Sequence, residues 1–142
     1  LQAGGDIMTV HAETLTPESL ARLEKTVKNY NAKLGVAFKP STDLSIIDLS
    51  DRDIALITVM TVNPGFSGQK FMPEVLPKVE KARAMFPKNK TEIEVDGGVD
   101  TSNAKAIAKN GASVVVAGSS VFGQKNPEVA LKELKMLIGG NQ

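Results

Sequence analysis

The sequence predicts an α/β fold built around a parallel sheet, and three observations predict it. Short apolar runs alternate with amphipathic stretches along the chain. The longest run, Ala55 to Val62 (ALITVMTV), is unbroken and rich in β-branched residues, the pattern of a strand covered on both faces. Three runs end in small or polar turn residues: Asn63-Pro64-Gly65, Asp96-Gly97-Gly98 and Ala117-Gly118-Ser119-Ser120. Such alternation builds right-handed βαβ units.

Asp6 to His11 (DIMTVH) reads as the first strand. Thr16 then supplies an N-cap, with Pro17 at the first helical position. Leu20, Leu23, Val27 and Tyr30 follow at spacings of three and four, an apolar stripe on a helix ending near Asn31. Leu34 to Phe38 is the second strand, stopped by Pro40, and Asp43 to Leu49 reads as a short helix. Asp53 to Val62 is the third strand. The next helix spans Met72 to Phe86, with Val75, Leu76, Val79, Ala82 and Met85 on one side. Pro77 sits deep for a first turn, which draws the expected helix start toward it. Thr91 to Asp96 is the fourth strand, followed by a helix from Thr101 to Lys109 with Gly111 as its stop. Ser113 to Ala117 is the fifth strand, Ser119 to Phe122 a short helix, and Pro127 to Ile138 the last helix.

The 142 residues fit one domain, residues 1–142, able to bury roughly two-thirds of the unfolded surface. Seventeen basic and 16 acidic residues leave a formal charge of +1, which offers no electrostatic case for nucleic acid or an anionic membrane. Cysteine is absent, which removes disulfides and thiolate metal sites and makes a cytoplasmic setting the default expectation. No apolar run reaches the roughly 18–20 residues that span a bilayer, and no basic-then-apolar leader opens the sequence. Leu1-Gln2-Ala3-Gly4-Gly5 instead resembles a helix end with a glycine stop, as if the sequence opened inside a larger fold. Five strand–helix units fit two architectures, a small doubly wound sheet or the later part of an eight-unit barrel.

Sites in α/β folds gather at the carboxyl ends of strands. The exposed backbone N–H groups of Gly97-Gly98 and Gly118-Ser119 suit an anion such as a phosphate, although glycines after strands are also ordinary turns. Alternation places Glu92, Glu94 and Asp96 on one face of their strand, with Ile93 and Val95 on the other. Asp96, at the strand end, suits a general base or a metal ligand, or equally a turn cap. His11 is the single histidine, and a lone histidine is more often a packing residue than a ligand. Met60 taken alone reads as core filling.

Taken together, TVHAE, GVAFKPST, MTVNPGFSGQKF, IEVDGG and VAGSSVF resemble the ribulose-phosphate 3-epimerase family, in order and spacing, from Gly4 through Phe122. The resemblance implies a TIM (β/α)8 barrel, of which this chain would hold about five βα units and lack the first three. It implies interconversion of ribulose 5-phosphate and xylulose 5-phosphate by two aspartates acting on opposite faces of C3. One divalent metal ion (zinc, iron, manganese or cobalt) and no organic cofactor are implied with it. Asp96 matches one acid/base, also a metal ligand, and Met60 matches a residue walling the intermediate. Gly65, Phe66, Ser67 and Gly68 match a mobile loop over the site, and Gly97, Gly98, Gly118 and Ser119 match the phosphate grip. His11 matches a histidine near the site that is not a metal ligand.

Two departures bear on function. Where the family reads GFGGQ, this chain has Ser67 at the third position. The family's two metal-binding histidines, its other aspartate and an early serine have no counterpart here. The expectation is therefore a sugar-phosphate epimerase by descent, with doubtful activity in the chain as given. Open sheet edges suggest a homo-oligomer. Allulose-phosphate epimerase, hexulose-phosphate synthase and a non-catalytic half-barrel are the alternatives.

Overall fold

The computed structural model describes residues 1–66 and 68–139. Five strands, β1 (Ile7–His11), β2 (Lys33–Phe38), β3 (Ile54–Met60), β4 (Glu92–Asp96) and β5 (Val114–Val116), form one sheet in the order β1-β2-β3-β4-β5. Every neighbouring pair is parallel. A doubly wound sheet reverses strand order at a switch point, whereas this sheet never does. Unreversed order with right-handed crossovers places the connecting helices on one side, as in a barrel wall.

The helices follow their caps. α1 (Pro17–Asn29) starts in a capping box, in which the Thr16 hydroxyl accepts from the Ser19 N–H at 3.2 Å and the Ser19 hydroxyl accepts from the Thr16 N–H at 2.8 Å. It stops two residues before the expected Asn31, and Tyr30, expected on the apolar stripe, is 46% exposed. α2 is shorter than expected, Leu76–Met85, because Pro73 first directs a separate 3-10 turn over Pro73–Val75. Its Val79 and Ala82 are buried, but Met85 faces outward. The helix expected over Asp43 to Leu49 reduces to a 3-10 turn, Leu44–Ile46, capped at its start by the Asp43 carboxylate, which accepts from the Ser45 N–H and hydroxyl. α3 (Ala104–Lys109) begins three residues later than expected, after a turn in which Asp100 accepts from the N–H and hydroxyl of Ser102. α4 (Ser119–Phe122) and α5 (Pro127–Gly139) complete the chain.

The two faces of the sheet differ in kind. Leu34, Val36, Phe38, Ile57, Val59, Ile93 and Val95 point toward the helices and form the core with Leu20, Val27, Val79, Ile107 and Leu134. The residues between them line the opposite, concave face. Here Thr9 pairs with Gly35, His11 with Ala37, Thr58 with Glu94, and Met60 with Asp96. A side chain at Gly35 would collide with Thr9 Oγ1 at 2.5 Å, so the two strands meet closely on this face. Glu94 on this face accepts a hydrogen bond from Thr58 Oγ1 at 2.8 Å, which meets the need of a partly buried carboxylate for a partner.

Candidate active site at the carboxyl ends of the strands

Strand β3 ends at Met60 beside Asp96, the last residue of β4. Between the turns that follow these strands and the turn after β5 lies a cavity of about 440 Å³. It is lined by Met60, Gly65, Phe66, Gly68, Asp96, Gly97, Gly98, Gly118 and Ser119. The structure therefore brings together those nine expected residues. Ser67 lies outside the described residues, and His11 does not line this cavity. A second cleft of about 580 Å³ shares Gly68, Gly98 and Ser119 with the first and adds Lys70, Ser102 and Asn103. Other clefts of about 580 and 790 Å³ open at the amino ends of the strands, away from Asp96.

Among the described residues, Asp96 is the one carboxylate lining the central cavity. Burial pushes its carboxyl above the usual aspartate range, because withdrawal from water disfavours the charged form. A group shifted this way holds a proton more readily, which suits an acid/base that must both take and return one.

The backbone around Asp96 is fixed by residues the sequence reading did not single out. Thr61 is fully buried, and its hydroxyl donates to the Gly97 carbonyl at 2.6 Å. Its N–H donates to the Asp96 carbonyl at 2.8 Å, and its own carbonyl accepts from Met72 at 3.0 Å. Thr61 thus ties the end of β4 to both ends of the loop after β3. Gly97 and Gly98 explain their own identity at this junction. Both have positive φ, +129° and +64°. A Cβ at Gly97 would lie 2.6 Å from a Val62 methyl, and one at Gly98 would lie 2.5 Å from the Phe71 nitrogen. The glycine pair is therefore required for loop packing. The loop itself is stapled by Gln69, whose Nε2 donates to the carbonyls of Asn63 at 2.6 Å and Phe66 at 2.9 Å. A polar residue inside the otherwise apolar strand run was the available signal for Thr61. Gln69 gave none, since its partners depend on how the loop closes.

The acidic groups do not by themselves fit a divalent cation. Among the described residues no three His, Asp or Glu side chains come together to hold one, and Asp96 is the single such group at the cavity. Asp96 is at most one ligand of such an ion.

The model of the ribulose-phosphate 3-epimerase family matches residues 1–122. The chain belongs to the ribulose-phosphate 3-epimerase family. It is 41% identical to the ribulose-phosphate 3-epimerase of Bacillus subtilis (strain 168) over 137 residues, covering 94% of this chain and 62% of that protein. It is 39% identical to the chloroplastic ribulose-5-phosphate-3-epimerase of Arabidopsis thaliana, covering 95% of this chain and 49% of that protein. The chain thus spans between about half and three-fifths of the length of these curated relatives.

Among solved structures, the 3-hexulose-6-phosphate synthase of Salmonella typhimurium superposes with a TM-score of 0.75 at 19% identity, covering 99% of this chain and 65% of that one. The 3-keto-L-gulonate-6-phosphate decarboxylase of Vibrio cholerae gives the same TM-score at 15% identity, covering 99% and 64%. At such identity these likenesses speak for the fold alone. They agree with the strand order: the fold is a run of five βα units of the TIM (β/α)8 barrel. The synthase alternative is not favoured, since the family match and relatives at 36–41% identity carry the epimerase name.

Proposed function

We propose that this chain carries the phosphate-binding half of a ribulose-phosphate 3-epimerase site, acting on D-ribulose 5-phosphate and D-xylulose 5-phosphate. The observation that supports this most is Asp96, a partly buried carboxylate set between glycine turns in a chain of this family. In this reading Asp96 takes the proton from C3 on one face of the sugar, or returns one to it. Met60 packs against the resulting planar enediol. The N–H groups of Gly97, Gly98, Gly118 and Ser119, with Gly65, Phe66, Ser67 and Gly68 closing from the loop, hold the phosphate. Phosphate binding fixes C3 over Asp96, which converts tight binding of a remote group into orientation at the reacting carbon.

Epimerisation needs a second acid/base on the opposite face, because one carboxylate cannot serve both. Among the described residues Asp96 is the one such carboxylate at the cavity, so the second group is expected from elsewhere. The same holds for the divalent metal, to which Asp96 would contribute a single ligand and which would stabilise negative charge on the substrate oxygens. Partly exposed Ile7 on edge strand β1 and Val116 on edge strand β5 support self-association. Cytoplasmic residence completes the reading. Among the described residues, no helix is long and apolar enough to cross a membrane.

The test is formation of xylulose 5-phosphate from ribulose 5-phosphate. A polypeptide of the relatives' length, with metal, is expected to turn over and to lose at least about 10³-fold in kcat on Asp96→Asn. The 142-residue chain alone is expected to form no product. Robust turnover by the Asp96→Asn protein sinks the role given to Asp96, and robust turnover by the 142-residue chain alone refutes the need for a second acid/base and metal ligands from elsewhere.

A further inference from the structure

Among the described residues, His11 Nδ1 and Glu13 Oε2 are buried side-chain atoms with no hydrogen-bond partner, and they lie 3.4 Å apart. Two orphaned polar atoms are costly, and one proton between them satisfies both. Glu13 is not its source. Burial works to raise the Glu13 carboxyl, but hydrogen bonds from the Thr42 hydroxyl and the Lys39 N–H outweigh it and hold the group at about 2. A proton placed between them would therefore be carried by Nδ1, which in a neutral ring leaves the lone pair on Nε2.

The geometry around this pair is rigid. Glu13 Oε1 is fastened to the segment Lys39–Thr42 at the carboxyl end of β2. Lys78, from α2, fastens the same segment from the other side. Its ammonium donates to the carbonyls of Lys39 at 2.9 Å, Pro40 at 2.7 Å and Thr42 at 2.6 Å, which uses all three of its N–H groups. Oε2 is thus held against the imidazole by contacts spanning three elements. The ring's other edge is open, since Nδ1 is buried while the side chain as a whole is 38% exposed. By register His11 stands on the concave face, although it does not line the cavity around Asp96. His11 pairs with Ala37, Ala37 with Thr58, and Thr58 with Glu94, two residues before Asp96 on the same side of the sheet.

We propose that Glu13 and His11 form a carboxylate–imidazole dyad that presents an unprotonated Nε2 to the concave face, as acceptor for a hydroxyl of a polyol phosphate. His11 would touch the ligand, while Glu13 is a positioning residue that sets the tautomer. The ligand class rests on the sugar-phosphate reading above, whereas the dyad does not.

With one histidine in the sequence, 15N-histidine NMR of this chain reads one imidazole. With the ring neutral, the expected spectrum shows Nδ1 protonated and Nε2 bare. Glu13→Gln, whose amide can donate toward Nδ1, is expected to invert that preference. A ring mainly protonated on Nε2 in the unsubstituted chain overturns the dyad and needs no variant to show it. Ribulose 5-phosphate is then added, and the Nε2 signal is expected to move while Nδ1 stays protonated. Movement of the Gly97 and Gly98 amides with a stationary ring overturns the ligand contact. No response at those amides counts against the sugar-phosphate reading instead, and the tautomer still decides the dyad.

Discussion

Along β4, Ile93 and Val95 are fully buried under the helices, while Glu92, Glu94 and Asp96 alternate with them on the concave face and keep contact with solvent. The same strand therefore meets two sets of demands. On the helix side the chain satisfies packing, which tolerates no void and asks little of residue identity beyond shape. On the concave side each polar group needs its own answer. Glu94 has Thr58, His11 Nδ1 and Glu13 Oε2 stand 3.4 Å apart, and Asp96 is left facing a cavity. The comparison teaches that stability resides mainly on one face and chemistry on the other. Thr61 and the glycine pair join them at the strand ends.

The largest effect is expected on the packed face. Ile93→Ala removes a fully buried side chain from the middle of the core and should lower unfolding free energy by about 2–5 kcal/mol in urea titrations. A loss under about 1 kcal/mol would break the division between the faces. Gly98→Ala comes next, since it forces a Cβ into the Phe71 backbone at positive φ, with an expected cost of ~3 kcal/mol. That variant should also lose affinity for inorganic phosphate by isothermal calorimetry. Unchanged stability would mean that the junction gives way freely.

Thr61→Val removes the hydroxyl that holds the Gly97 carbonyl and should cost about 1–2 kcal/mol by thermal denaturation. Thr61→Ser, which keeps the donor, is expected to recover most of it. Equal losses in both variants would assign Thr61 to packing instead.

The smallest effect concerns pH. Glu13 is held at about 2, below its ordinary 4.5, so the ionised form stabilises the fold above pH 4.5 and that contribution fades as pH falls toward 2. The contribution is on the order of 1 kcal/mol after allowance for partial exposure. Urea titrations between those pH values should therefore fall more steeply for the unsubstituted chain than for Glu13→Gln. Parallel slopes would sharpen the comparison by showing that this concave-face network carries no stability.

Much of the site was legible before any fold. Asp96 and the glycines at 97, 98 and 118 sit next to strand ends, and strand ends are marked locally by where apolar runs stop. Met60, Gly65, Gly68 and Ser119 belong to the same local pattern, and the structure gathers them around one cavity. The helix boundaries were less legible. Side-chain bonds to Asp43 and Asp100 shape the turns at these positions, and periodicity does not register them.

By itself the sequence determined the succession of five strands and their helices, and which residues stand at the strand ends. Those features depend on periods of two and 3.6 residues and on turn chemistry within a few positions. Periodicity left a barrel wall and a doubly wound sheet both open; the family resemblance chose the barrel, and the tertiary structure displays it as a strand order that never reverses. Only the tertiary structure decided that Thr61 reaches Gly97 and that Glu13 reaches Lys39 and Thr42, across separations of 36, 26 and 29 residues. The physical reason is register. Which residue of one strand faces which residue of the next is set by packing between distant segments, and no local pattern encodes it.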